Sequence, residues 1–189
     1  MSIDAAFTRL PTLTTVRLIL RPVTLADVDA LYAIKSDPRV TVPYGVEPHA
    51  TPDRTRTWVE DLLRYQTQRD ALFWTLTLKG DDRAIGGYTL WNFSEDFRCA
   101  ELGYELHPDF WRQGLSSEAI TAILDYSFDA LDLHRIEACP SGRNTASSNI
   151  LFKLGFTHEG TLRERFSFRG DFYDQLYFGL LKTEWLARK

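Results

Sequence analysis

Gly114 stands between an extended stretch and a helical one, and the small residues Ser116 and Ser117 follow it. That arrangement aims several backbone N–H groups at open space from a helix N-terminus, a place for an anion such as a phosphate; taken alone it is equally a tight turn. Arg112 beside it is placed to neutralise a phosphate, although a lone arginine there is as readily solvated. Upstream, Glu101, Gly103 and Glu105 fall on one face of a strand by alternation. Two carboxylates so placed suit general-base chemistry, and equally suit salt bridges or a solvated face. Downstream, Asn144 precedes a helical stretch and Ser147 lies in its first turn. The amide and hydroxyl are placed either to cap that helix or to touch a ligand.

Elements must position these residues. Residues 16–21 alternate like a strand, and Thr24-Leu25-Ala26-Asp27 reads as a helix start with a capping threonine and an acidic third position. That helix is expected to end near Asp37-Pro38. Thr51-Pro52-Asp53 repeats the signal, with Trp58, Leu62 and Tyr65 as the buried stripe; residues 41–50 between the two helices read as a loop. Leu72, Trp74, Leu76 and Leu78 alternate with Phe73, Thr75 and Thr77, Lys79-Gly80-Asp81-Asp82 turns the chain, and residues 84–93 resume, a hairpin with a second turn at Ser94-Glu95-Asp96. Residues 99–106 make a further strand. The helix after Gly114 has Glu118, Thr121, Asp125 and Asp129 as its only polar stripe, so it must pack tightly on a sheet. Residues 136–139 read as a short strand and 145–154 as a helix closed by Gly155; from Phe156 two strands join at Arg169-Gly170-Asp171. Antiparallel hairpins followed by a strand-helix-strand unit predict an α/β (α+β) fold: one mixed, mostly antiparallel sheet with helices on both faces. With no internal repeat or low-complexity linker, residues 1–189 are expected to form one domain.

Composition removes several classes of function. Hydrophobic residues at 44% and aromatics at 13% suffice for a packed core, and a formal net charge of −4 without a basic run argues against nucleic acid or an anionic membrane as partner. The first residues are interrupted too early for a secretory signal or a membrane span, which predicts a cytoplasmic protein. His49, His107, His134 and His158 are far apart and form no ligand pair, so no metal is expected. Cys99 and Cys139 sit in apolar, strand-like stretches and are expected to be core residues.

The run Ala100-Glu101-Leu102-Gly103-Tyr104-Glu105-Leu106-His107-Pro108-Asp109-Phe110-Trp111-Arg112-Gln113-Gly114-Leu115-Ser116-Ser117-Glu118-Ala119 resembles the acetyl-CoA motif of the GNAT superfamily of N-acetyltransferases, in its RimJ/RimL-like branch. A second block, Asn144-Thr145-Ala146-Ser147-Ser148-Asn149-Ile150-Leu151-Phe152-Lys153-Leu154-Gly155-Phe156, resembles the same branch. So do the opening Arg17-Leu18-Ile19-Leu20-Arg21-Pro22 and the closing Gly170-Asp171-Phe172-Tyr173-Asp174. The family's turn pattern is Arg or Gln, two residues, Gly, one residue, Gly or Ala. Here Trp111 and Ser116 hold the first and last positions; Trp is usual in the branch, and serine is small enough for close approach to a phosphate.

The resemblance implies acetyl-CoA as cosubstrate, its pyrophosphate on the N–H groups of Arg112, Gln113, Gly114, Leu115, Ser116 and Ser117. It implies that the strand ending at Leu106 splays from a parallel neighbour near Ile136, so that the pantetheine pairs with backbone at Glu105 and Leu106. Asn144 would then touch the pantetheine arm and Ser147 lie near the sulfur. Glu101 aligns with the general base of the superfamily's histone acetyltransferases and is expected to act through a water. The tyrosine that protonates the thiolate in many members is matched by Leu151, and a carboxylate invoked in the branch is matched by Phe166, which leaves Ser147 as the replacement candidate. An α-amine with pKa about 7.7–8.0 is neutral in roughly a tenth or more of molecules at pH 7, a lysine amine near 10.4 in far fewer. A weakly equipped site therefore favours an α-amine or another low-pKa primary amine, attacked directly in a ternary complex. Acceptor contacts are expected from residues 41–50, the edge near Trp91 and the final hairpin at 165–172, whose Phe166, Phe168, Phe172 and Tyr173 also offer surface for a homodimer. The alternative is a non-catalytic acetyl-CoA sensor or binding module.

Overall fold

The computed structural model describes residues 3–189. Along the chain run α1 (Ile3–Thr8), β1 (Leu13–Thr14), β2 (Leu18–Pro22), α2 (Val28–Lys35), α3 (Pro38–Thr41), α4 (Pro52–Gln68), β3 (Ala71–Leu78), β4 (Asp81–Trp91), β5 (Cys99–Leu106), α5 (Leu115–Asp125), β6 (Arg135–Ala138), α6 (Thr145–Leu154), β7 (Thr157–Phe168), β8 (Asp171–Leu181) and α7 (Lys182–Leu186). The strands form one sheet in the order β1-β2-β3-β4-β5-β6-β8-β7, antiparallel at every junction except β5–β6.

Local chemistry accounts for most of these boundaries. Thr51 caps α4 by accepting a hydrogen bond from the Arg54 amide, with Pro52 at the first helical position. Asp27 reaches back to the Thr24 amide at 2.8 Å, but the turn it stabilises is a 3-10 turn (Leu25–Asp27), and the α-helix begins only at Val28. Gly155, with φ +91°, closes α6 where a side chain would be strained. Two expectations change. Residues 41–50 are not loop throughout: α3 reaches Thr41 and a 3-10 turn covers Val42–Tyr44, because Asp37 caps α3 from its side chain and Pro38 starts it. Ahead of residues 16–21, where no element was expected, lies α1, whose Ala6 and Phe7 are buried.

Two cores lie on opposite faces of the sheet. On one, Leu72, Trp74, Leu76, Leu90, Ala100, Leu102 and Leu106 meet Leu115, Ala119, Ile120 and Ile123 of α5. On the other, Phe73 and Ala84 meet Val28, Leu31 and Ile34 of α2 and Val59 and Leu62 of α4. The polar stripe of α5 makes ties to other elements: Glu118 accepts from Thr15 Oγ1, the Arg17 amide and Arg17 Nε at 2.5–2.8 Å, and Asp125 accepts from the Trp185 indole. The stripe thus ties α5 to both ends of the chain.

Candidate active site

β5 and β6 pair over Cys99–Arg135, Ala100–Ile136 and Glu101–Glu137, and no further. Beyond Glu101 the strands diverge, and β5 continues alone on that side to Leu106. The His107 amide donates to the Ile85 carbonyl at 2.8 Å, which sets the alternation along the β4–β5 ladder: Glu101, Gly103 and Glu105 direct their N–H and C=O groups to β4, whereas Leu102, Tyr104 and Leu106 direct theirs into the opening. The Glu105 backbone, expected to be available for pantetheine, is therefore spent on β4, and it is the Tyr104 backbone that is free in the opening. At Leu106 the carbonyl already accepts the Trp111 indole N–H at 2.8 Å.

The opening leads to the N-terminus of α5 through a cavity of about 650 Å³ lined by Tyr104, Glu105, Leu106, Arg112, Gly114, Leu115, Ser116, Ser117, Asn144 and Ser147, with Arg39, Arg143 and Lys153 adding positive charge. Arg112 (φ +60°) and Gly114 (φ +76°) are both left-handed, which bends the chain so that the first-turn amides of α5 face the cavity. Arg17 braces the turn from behind, Nη1 on the Gln113 carbonyl at 2.9 Å and Nε on Glu118 at 2.7 Å. Gln113 folds away from the cavity, its amide donating to the Asp109 carbonyl at 3.0 Å. An open helix N-terminus, small residues at 116 and 117 and surrounding cations fit a pyrophosphate; exposed strand backbone fits a pantetheine amide.

A second cavity of about 470 Å³ adjoins the first on the α2–α4 side, lined by Trp58, Tyr65, Phe73, Trp91, Glu101, Gly103, Cys139 and Pro140. Tyr44, Tyr104, Glu105, Asn144 and Ser147 line both. At this junction the Tyr104 hydroxyl meets Ser147 Oγ at 2.7 Å, and burial pushes the phenol up to about 12. Asn144 Oδ1 accepts the Ser147 amide at 3.1 Å, so the helix-cap role is filled and Nδ2 is the group available to a ligand. Glu101 is raised above the ordinary glutamate range by burial, opposed by a long 3.5 Å contact from Asn92 Nδ2 and reinforced by Glu137.

Glu105 is almost completely buried: Oε2 takes Lys35 Nζ at 2.6 Å and the Tyr44 hydroxyl at 2.8 Å, while Oε1 has no partner. Lys35 Nζ also lies 4.2 Å from the Trp58 ring centroid. Burial and the Glu105 carboxylate hold the Tyr44 phenol well above its ordinary range.

Of the residues expected to act, Glu101 and Ser147 reach the two cavities, as do Leu106, Arg112, Gly114, Leu115, Ser116, Ser117 and Asn144; Gln113 does not. The cysteines are half-buried rather than core, and Cys139 lines the second cavity with its thiol pushed up to about 12 by burial and by Glu101. The aromatics of the last hairpin are largely spent internally: Phe168 is buried, Phe166 stacks on Tyr173 at 5.4 Å and packs on Gly45, and Phe172 remains 64% exposed. Sequence reasoning gave no role to Tyr104, Lys35, Tyr44 or Arg17. Tyr104 lies in the strand that leads into the Gly114 turn, and its alternation with Glu105 is the signal that could have found it. Among the described residues no group of three or more His, Cys, Asp or Glu is placed to hold a metal, and no helix is long and apolar enough to cross a membrane.

Residues 17–157 match the model of the acetyltransferase (GNAT) domain. The chain is 33% identical over 172 residues to the uncharacterized N-acetyltransferase YoaA of Bacillus subtilis (strain 168), covering 91% of this chain and 97% of that protein. It is 28% identical over 147 residues to the [ribosomal protein uS5]-alanine N-acetyltransferase of Escherichia coli (strain K12), covering 76% of this chain and 74% of that protein. Its fold superimposes on the RimL ribosomal L7/L12 alpha-N-protein acetyltransferase, solved in complex with coenzyme A, with a TM-score of 0.82 at 19% identity, covering 90% and 98% of the two chains. A domain match over most of the chain, relatives named as N-acetyltransferases and the shared sheet lead to one conclusion: this chain belongs to the GNAT family of N-acetyltransferases.

Proposed function

We propose that the chain, acting as one domain, transfers the acetyl group of acetyl-CoA to a primary amine, the amine of a peptide N-terminus or of a small molecule, by direct attack. The observation that carries this reading is the divergence of β5 from β6, which turns the Tyr104 and Leu106 backbone into a cavity ending at the N-terminus of α5. In this reading the first-turn amides from Gly114 to Ser117 hold the pyrophosphate, the β5 backbone and Asn144 hold the pantetheine arm, and the second cavity receives the amine.

Glu101 takes the amine proton through a water; its raised pKa makes it a stronger base than an exposed glutamate. As the amine nitrogen bonds to the acetyl carbon, the carbon–sulfur bond breaks and its electron pair leaves on sulfur. A phenol pushed up to about 12 is a weaker acid than a thiol near 8.5. Tyr104 therefore holds Ser147 as a hydrogen-bond donor to the departing sulfur, and the thiolate takes its proton from water. Coenzyme A release measured with a panel of free-amine peptides and polyamines tests the proposal. Turnover of at least one amine is expected; acetyl-CoA binding without turnover of any would point to a sensor instead, and an isolable acetyl-enzyme would replace direct attack.

A further inference from the structure

Among the described residues Glu105 is the one carboxylate lining both cavities, and its side chain is only 8% exposed. Leaving a buried carboxylate oxygen without a hydrogen bond is costly. Oε2 nonetheless carries both partners and Oε1 none. Lys35 and Tyr44 fix the carboxylate from one side and supply its countercharge, so the free oxygen is held in place rather than merely left over.

Gly103 lies between Glu101 and Glu105 on the same face of β5. At strand spacing the two glutamate Cα atoms are about 13 Å apart, with Gly103 roughly midway. A Cβ at Gly103 would meet only the Trp91 indole nitrogen, at 3.8 Å, so the space above it is open. The floor of the second cavity is thus a gap with a carboxylate at each end. A neutral primary amine has two N–H groups and needs only one removed.

Resting on the acetyl-transfer reading, we propose that the acceptor nitrogen docks over Gly103 with one N–H on Glu105 Oε1, while its other proton faces Glu101. Glu105 is then the acceptor-binding carboxylate, and Lys35, by neutralising it, keeps the site from trapping the unreactive ammonium form.

Two variants test this by separate routes. Lys35→Met/Glu105→Leu removes both charges together, so no unpaired ion is left buried. Gly103→Val leaves the ion pair intact and fills the gap. With a peptide bearing a free N-terminal alanine and with spermidine as probes, each variant is expected to raise the acceptor KM at least about tenfold while the acetyl-CoA Kd stays within about twofold. An unchanged acceptor KM in either variant, or a loss confined to acetyl-CoA binding, overturns the docking. If the wild type turns over neither these probes nor any other amine of the panel, the transfer reading fails by itself; docking is then decided by calorimetric titration of both probes into the CoA-loaded protein. Binding present in the wild type and lost in Gly103→Val supports it, and no binding to the wild type overturns it.

Discussion

At the scale of single residues, burial decides what each side chain does. Because Glu101 is raised, its base form is gained as pH rises through that shifted value. The acceptor kcat/KM is therefore expected to climb with pH along a limb that Glu101→Gln lacks, with activity lower by about 10²–10⁴ in rate assays across pH. In the proposed mechanism Ser147→Ala removes a hydrogen bond to the developing thiolate and should lower kcat by about 10- to 100-fold, whereas Tyr104→Phe, which only loosens Ser147, should cost about three- to tenfold. Pre-steady-state rates with acetyl-CoA Kd measured in parallel check both. Glu101 and Ser147 were legible because each sits in a contiguous motif. Tyr104 was not legible because its 2.7 Å contact to Ser147 joins residues on different elements, away from the helix position that Leu151 holds.

At the scale of elements, the turn before α5 depends on backbone conformation more than on side chains. Gly114→Ala would find room, its Cβ nearest the Arg17 guanidinium at 3.6 Å, but φ +76° is unfavourable for alanine by about 1–2 kcal/mol. Chemical denaturation should show that loss and calorimetry a weaker acetyl-CoA affinity. The 3-10 turn at Leu25–Asp27 gives a pH test. Burial alone would raise the Asp27 carboxyl, but Arg21 at 2.7 Å and the Thr24 amide overcome it and hold it below the ordinary range. A depressed carboxyl contributes stability that is complete above its unfolded value near 3.9 and lost as pH falls through the folded one. Denaturation midpoints should therefore drop below about pH 4, and less steeply in Asp27→Asn. The elements themselves were largely readable, since caps and alternation are local. α1 and α3 were missed because each is a few residues long, too short for a periodic stripe.

At the scale of the whole molecule, the final hairpin reaches across to the segment that carries Tyr44. Arg169 pairs with Glu47 at 2.7 Å and Phe166 packs against Gly45. Both partners of the ion pair are more than half exposed, so solvent screens the pair and it contributes little to stability. Arg169→Glu is accordingly expected to leave the melting temperature nearly unchanged and to raise the acceptor KM a few-fold without altering acetyl-CoA affinity, as steady-state kinetics would show. The sequence by itself determined the turn at Gly114, the strand leading into it and the fold class, because periodicity, caps and a continuous motif are properties of short windows. Only the tertiary structure decided which side chains brace the two cavities. Arg17 reaches a turn 96 residues away, Tyr104 meets Ser147 across 43, and Lys35 meets Glu105 across 70. Such partners are chosen by which faces the sheet and helices bury together, and no local pattern encodes that choice.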